Sequence, residues 1–183
     1  MSTHLRKPGG VRETVSISSQ RDYLTLIPAR ILEAIGAVAV NFAQLEDSLA
    51  RAIGYLLTSC GEGLQLYHQA VTAELSFRQR VWIFVNVYRE RHGQAPILDS
   101  LKKRCFQFEE SRNAIIHSIW QTWYPQRPEM AVRLKTSARS RALVTKATEH
   151  THEELAILAR SLRLLGGEIE SVALAALTRG RNR

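Results

Sequence analysis

Six residues near the end of a long amphipathic segment, Arg112-Asn113-Ala114-Ile115-Ile116-His117, contain three side chains that can interact with a phosphate. A guanidinium binds phosphate oxygens as a planar fork and offsets negative charge that develops in a transition state. A histidine titrates near neutral pH and can therefore exchange protons in general acid–base catalysis. Arg112 and His117 are thus candidates for a catalytic pair, and Asn113 could orient the histidine or a phosphate oxygen.

The spacing around these residues predicts a helix with Arg112 on its packed side. Residues at alternating spacings of three and four form this side, namely Leu98, Leu101, Cys105, Phe108, Arg112, Ile115 and Ile119. A buried guanidinium needs a partner, because an unpaired buried charge costs ~3–5 kcal/mol. Arg112 therefore either serves a site or clasps the bundle by pairing with Glu109 or Glu46. In the second case, His117 would bond the carbonyls at the helix end.

Three further segments show helical spacing. The first follows Pro28, and apolar residues continue its pattern as far as Leu56, before Gly61 and Gly63. The second covers about Leu64–Arg91, where Trp82 and Phe84 are predicted to be core anchors.

The last helix is predicted to begin with a capping box, in which Thr151 is the cap and Glu154 lies three residues later. Its apolar series continues to Ala176, and Gly166-Gly167 indicates a kink or a close helix contact.

Residues 119–149 change to the alternation of β-strands, which predicts a hairpin or a three-strand meander. The predicted fold is all-α, a four-helix bundle with this small β insertion between the third and fourth helices. Residues 1–22 are expected to form a flexible basic arm, 23–178 a single helical domain, and 179–183 a basic tail.

The net charge of +8 is concentrated at the two ends of the sequence. Residues 1–12 and 179–183 together carry six basic residues and no acidic residue, which leaves 19 basic and 17 acidic residues between them. Basic tails attract nucleic acid in a salt-dependent way, so a module that binds nucleic acid through its tails is one alternative function.

The sequence lacks the signals that are characteristic of several other classes of protein. No stretch approaches the ~20 apolar residues of a membrane span, and no signal peptide is recognisable, so we expect a cytoplasmic protein. Cys60 and Cys105 are expected to be reduced structural thiols. His150 and His152 have no suitably spaced Cys or acidic partners, so we expect neither a metal nor another cofactor.

The motif Arg112-Asn113-x-x-x-His117, near the end of a bundle helix, resembles that of the HEPN superfamily. The similarity covers residues 28–178, although the β insertion is not part of the minimal HEPN bundle. The resemblance implies metal-independent RNA cleavage, with two protomers paired so that their motifs face each other. Arg112 and His117 would then be the catalytic pair and Asn113 the supporting polar residue. Glu109 and Glu46, which the spacing offers as partners of Arg112, complete the predicted set as supporting residues.

The resemblance leaves two functions open. The first is a HEPN-like endoribonuclease of a toxin or defence system, with an RNA substrate and a cognate antitoxin or other partner protein. The alternative is a non-catalytic HEPN-like protein whose helices mediate dimerisation or partner binding.

Overall fold

Four helices form most of the structure, a computed structural model that describes residues 27–58, 72–121, 130–139 and 142–181. In chain order the elements are α1 (Ala29–Thr58), α2 (Phe77–His92), α3 (Pro96–Ile116), β1 (Ile119–Gln121), β2 (Met130–Arg139), β3 (Ala142–Thr151) and α4 (His152–Arg181). The prediction of a mainly helical chain is confirmed, and the insertion between the third and fourth helices is a three-stranded meander rather than a single hairpin. The predicted N-terminal arm, Cys60 and the stop signals at Gly61 and Gly63 lie outside the described residues.

The first and last helices, α1 and α4, share the most extensive contact between any two described helices. Close approach is possible because Gly166 presents no side chain to α1: a Cβ built there would lie 3.0 Å from Ser48 Oγ. The Asn41 side-chain amide also donates to the Ala159 carbonyl across this contact, at 2.8 Å. Of the two alternatives predicted for Gly166-Gly167, the close contact is present, and α4 is one continuous helix.

The apolar series predicted for α1 forms the centre of the core. Seven of its eight members are buried: Ile31, Val38, Phe42, Leu45, Leu49, Ala52 and Leu56. Ile35 is partly buried against them. The helix begins at Ala29, where the Pro28 carbonyl accepts the backbone N–H of Ile31 at 2.9 Å. Proline is common at the start of a helix, because its fixed φ suits the first turn.

Helix α2 starts later than the sequence pattern predicted. It begins at Phe77, after Ser76, whose hydroxyl accepts the Gln79 backbone N–H at 3.4 Å while the Gln79 side chain accepts the Ser76 backbone N–H at 2.8 Å. This capping box makes Leu64 too early as the start of a continuous helix, although residues 64–71 themselves lie outside the described part of the chain.

The two aromatic residues predicted as core anchors of α2 have different environments. Phe84 is buried, as predicted. Trp82 is 45% exposed, so the prediction that it anchors the core was wrong. Side chains two residues apart on a helix project about 160° apart around its axis, so only one of the two can face the core.

Gly93 ends α2 and allows the chain to turn into α3. Its φ of 79° lies in the left-handed region that favours glycine, and its N–H donates to the Arg89 carbonyl at 2.9 Å. Helix α3 then begins at Pro96 and buries Leu98, Leu101, Cys105 and Ile115. The apolar series predicted for this helix extended too far. The helix stops at Ile116, and the last predicted member of the series, Ile119, lies exposed in β1.

The antiparallel sheet has strand order β1-β2-β3 and lies against the bundle through one face. On this face Trp120 pairs with Arg133 across β1 and β2, and Arg133 pairs with Thr148 across β2 and β3. Ala131 and His150 form the next pair on the same face, and Ala131 is part of the helical core. Strand β3 continues directly into α4 at Thr151.

The capping box predicted at the start of α4 is confirmed. The Thr151 hydroxyl accepts the Glu154 backbone N–H at 3.2 Å, and the Glu154 carboxylate accepts the Thr151 backbone N–H at 3.1 Å. These bonds satisfy two backbone donors that the first turn of the helix cannot pair internally.

The two adjacent glycines of α4 provide a test of its contact with α1. We expect Gly166→Ala to lower the free energy of unfolding by about 1 kcal/mol, because the new methyl would press on the buried Ser48 hydroxyl. Arg51 donates to that hydroxyl at 3.2 Å, which restrains its movement. Urea unfolding followed by circular dichroism measures the change.

Gly167→Ala is the matched control, because nothing lies within 4 Å of a Cβ at this position. It should raise the free energy of unfolding by about 0.5–1 kcal/mol, since alanine favours a helix over glycine. Equal stabilisation by both substitutions would contradict the close contact at Gly166.

Candidate functional site

The predicted motif lies at the C-terminal end of α3. His117 is the capping residue, with φ −98° and ψ 35°, and its backbone N–H donates to the Asn113 carbonyl at 3.2 Å. Its imidazole is exposed and has no hydrogen-bond partner among the described residues. The prediction that His117 lies at the helix end is confirmed, whereas the proposed bond from its ring to helix carbonyls is not present.

Arg112 is half-buried and held by its neighbours. One terminal nitrogen of its guanidinium donates to Asn113 Oδ1 at 2.9 Å. The guanidinium carbon lies 4.8 Å from the centre of the Phe42 ring, so the cation stacks on an aromatic side chain of α1. Such contacts contribute ~0.5–2 kcal/mol. The Arg112 Nε atom is enclosed and has no hydrogen-bond partner in the described part of the chain.

Neither of the two ion pairs predicted for a structural Arg112 is present. The Glu109 carboxylate instead accepts a bond from Arg78 Nε at 2.5 Å, and this bond raises the pKa of Arg78. Glu46 is half-buried on α1 without an ion pair to Arg112. Within the described ranges, the Arg112 guanidinium therefore has no carboxylate partner.

The structure brings together only part of the predicted residue set. Arg112 and Asn113 are in direct contact, whereas Glu109 is turned toward Arg78 and α2. His117 follows Arg112 by five residues, which places it about 140° around the helix axis and about 7.5 Å along it. A substrate could lie over Asn113 and reach Arg112 on one side and His117 on the other.

Side chains of the sheet hold the end of α3 in place. The Trp120 indole N–H donates to the Ile115 carbonyl at 2.9 Å, and Arg133 donates to the Ala114 carbonyl at 2.9 Å. The Ser118 hydroxyl donates to the same Ala114 carbonyl at 2.5 Å. These bonds satisfy carbonyls that a helix end leaves unpaired, and a cation there also interacts favourably with the helix dipole.

Arg133 was not among the residues predicted from sequence, although it positions the end of the motif helix. It also donates to Thr148 Oγ1 at 3.3 Å. The only available signal was its location in a strand between Val132 and Leu134, and alternation alone does not show which face of a strand meets the bundle. The contact of Trp120 with the helix end was missed for the same reason.

A cavity of about 470 Å³ lies between α3, the sheet and the start of α4. Apolar side chains such as Leu158 line part of it, and its polar lining comes from Ser111, Arg133, Thr148, Glu149, His150 and Glu154. Given about 100° per residue, the cavity-lining residues of α3, Ser111, Ala114 and Ile115, are centred about 150° around the helix axis from Asn113. The cavity is therefore separate from the surface that carries Arg112 and His117.

His150 is the titratable group of this cavity with a shifted pKa. Burial is the main cause that lowers its pKa, and the charge of Arg133 lowers it further, while Glu154 acts in the opposite direction. The ring packs against Trp120, with their centroids 5.5 Å apart, and Nδ1 lies 3.8 Å from the Glu154 carboxylate. Burial and the charge of Arg133 outweigh Glu154, so the neutral imidazole is favoured.

The described residues meet the requirements of neither a metal site nor a reactive thiol. No group of three His, Cys, Asp or Glu side chains is arranged to hold a metal ion within the described ranges. Burial raises the pKa of Cys105 to about 12, so its thiol stays protonated and unreactive at neutral pH. This agrees with the structural role predicted for Cys105.

No family model, curated protein or solved structure matches this chain. None of the helices in the described part of the chain is sufficiently long and apolar to cross a membrane.

The lowered pKa of His150 predicts a loss of stability in mild acid. The unfolded chain takes up the proton near the ordinary pKa of 6.5, whereas the folded protein resists it. The free energy of unfolding therefore has its full value, as far as His150 is concerned, above pH 6.5. It declines as the pH falls below 6.5 toward the pKa of His150 in the folded protein. Urea unfolding on either side of pH 6.5 measures this decline.

His150→Gln should remove this part of the pH dependence, because glutamine does not titrate. His117→Gln is the matched control, and it should keep the pH dependence of the unchanged protein. If His150→Gln and the unchanged protein lost stability equally in acid, the assignment to His150 would be wrong.

Proposed function

We propose that this chain is a HEPN-like, metal-independent endoribonuclease that acts in a toxin or defence system. The observation that carries the proposal is the Arg112 guanidinium, which has no carboxylate partner among the described residues and is held by Asn113 and Phe42. An arginine that served only as an ionic clasp would be neutralised by an acid. Arg112 instead keeps its positive charge near the exposed His117.

The chemistry assigned to these residues is transfer of a phosphodiester to the neighbouring ribose hydroxyl. His117 accepts the proton of the 2′-hydroxyl as its oxygen attacks the adjacent phosphorus. The bond to the 5′-oxygen breaks, which leaves a cyclic phosphate on one product and, after protonation, a hydroxyl on the other. Arg112 offsets the negative charge that builds up on the phosphate oxygens. No step of this reaction requires a metal.

Two features of the site suit this role. The Arg112 side chain is restrained on both sides, by the amide of Asn113 and by the ring of Phe42, so little conformational entropy is lost when it binds a phosphate. The exposed imidazole of His117 is open to a substrate. We further propose that two protomers pair so that both motifs face one groove, as the HEPN resemblance implies.

The second candidate function is a non-catalytic helical protein that dimerises or binds a partner. The exposed apolar side chains of Val40 on α1 and Leu164 on α4, 58% and 61% exposed, favour it. In this case the stacking of Arg112 on Phe42 is a packing contact. Arg112→Ala would then lower the melting temperature strongly, and no RNA would be cleaved.

Cleavage of mixed RNA in the presence of EDTA tests the proposed activity. We expect the unchanged protein to cleave, and His117→Ala to lose ~10²–10⁴-fold in rate. Arg112→Lys keeps the charge but loses the planar fork, so we expect a loss of ~10²–10³-fold with the fold retained. Product ends are identified by mass, and circular dichroism checks folding.

His152→Ala and Arg160→Ala are the matched controls, because both residues line a pocket between α1 and α4 that includes none of the candidate-site residues. They should cleave at the rate of the unchanged protein. Activity that survived substitution of both Arg112 and His117 would disprove the assignment, and activity abolished by EDTA would disprove the metal-independent mechanism.

A further inference from the structure

Trp82 is a large apolar side chain that the fold leaves on the surface of α2. Its indole is 45% exposed, and its centre lies 6.4 Å from the ring of Phe106 on α3. The Lys102 ammonium lies 4.5 Å from the centre of the indole. We call these three side chains the Trp82 platform. They combine a partly exposed aromatic ring with a cation, which is the chemistry of surfaces that bind single-stranded nucleic acids.

The acidic residues around the Trp82 platform are each paired with a cation. Asp99 lies 3.4 Å from Lys102 and 2.9 Å from Arg89, and the bond with Lys102 is the main cause that lowers its pKa. Arg78 pairs with both Glu109, at 2.5 Å, and the exposed Glu110, at 3.3 Å, and its guanidinium lies 5.0 Å from the centre of the Phe106 ring. These pairs reduce the repulsion that isolated carboxylates would exert on a phosphate backbone.

The Trp82 platform and the candidate site lie along one side of α3. Lys102, Phe106, Glu109, Asn113 and His117 follow at spacings of four, three, four and four, so they form a single stripe on the helix. Eleven residues separate Phe106 from His117, a distance of about 16 Å along the axis. An extended strand a few nucleotides long could therefore contact both.

We propose that the Trp82 platform binds the single-stranded RNA segment that leads to the cleavage site. A base stacks on the exposed face of the Trp82 indole, and Lys102 interacts with a neighbouring phosphate. This inference rests on the proposed ribonuclease function, because it assigns the platform a role in binding the same substrate. Stacking does not depend on base identity, so the platform contributes affinity rather than sequence preference.

Steady-state kinetics with a short and a long substrate test this role. Trp82→Leu keeps an apolar side chain but removes the aromatic face, so KM for an RNA of about ten nucleotides should rise about tenfold. Its kcat, and its cleavage of a dinucleotide too short to reach the platform, should stay unchanged. Trp82→Phe should retain most of the affinity, and Leu174→Ala, at an α4 residue that is 43% exposed, should match the unchanged protein.

Lys102→Gln provides a second measurement that does not require cleavage. Fluorescence anisotropy in the His117→Ala background measures binding of the same RNA over a range of salt concentrations. Loss of one phosphate contact should reduce the slope of log K against log salt by about 0.7. Lys135→Gln, on an exposed strand residue, is the matched control.

The outcomes separate this inference from the proposed function. If the unchanged protein cleaves RNA but Trp82→Leu leaves KM for the long substrate unaltered, only the role of the platform is overturned. An equal loss of kcat on both substrates, or a partner protein bound through Trp82 without any effect on RNA, also overturns it. If the unchanged protein neither cleaves nor binds RNA, both proposals fail.

Discussion

The pairing of α1 with α4 is the constraint on which the rest of the structure depends. Each helix is 30 residues long, and together they supply the largest part of the core, against which α2 and α3 pack. The distance between them is set where Gly166 meets Ser48, because no other residue type would let the backbones approach so closely without displacing the hydroxyl. Phe42, which supports Arg112, belongs to the same buried series of α1.

The candidate site is supported by two different parts of this frame. Phe42 of α1 lies under the Arg112 guanidinium, whereas Arg133 and Trp120 of the sheet hold the carbonyls at the end of α3. The β insertion is therefore more than a cover for the bundle, since it fixes the helix end at which His117 is located. A helical bundle without these strands would need another way to satisfy the same carbonyls.

Much of the fold follows from local patterns in the sequence. The apolar series of α1 and the capping box at Thr151 were predicted correctly, because each depends on residues close together in the chain. The start of α2 was missed although its signal was present: Ser76 is followed three residues later by Gln79, the pattern of a capping box.

The features that sequence could not reveal depend on contacts between distant elements. The helix around Trp82 carries apolar residues on more than one face. Spacing alone therefore did not show that Phe84 would be buried and Trp82 exposed. The role of Arg133 depends on which face of β2 meets the bundle. For Arg112, the spacing correctly indicated a packed side chain, but it did not identify Phe42 and Asn113 as the groups that hold it.

The long-range contact between α1 and α4 has a consequence for how the chain folds. The bond from Asn41 to Ala159 joins residues 118 positions apart, so α1 is synthesised well before its main partner. Contacts of such separation slow folding, because a long loop must close before they form. Among the described helices, α2 and α3 are the ones made early enough to cover the apolar face of α1 during translation, and apolar surface left exposed before α4 is made favours aggregation.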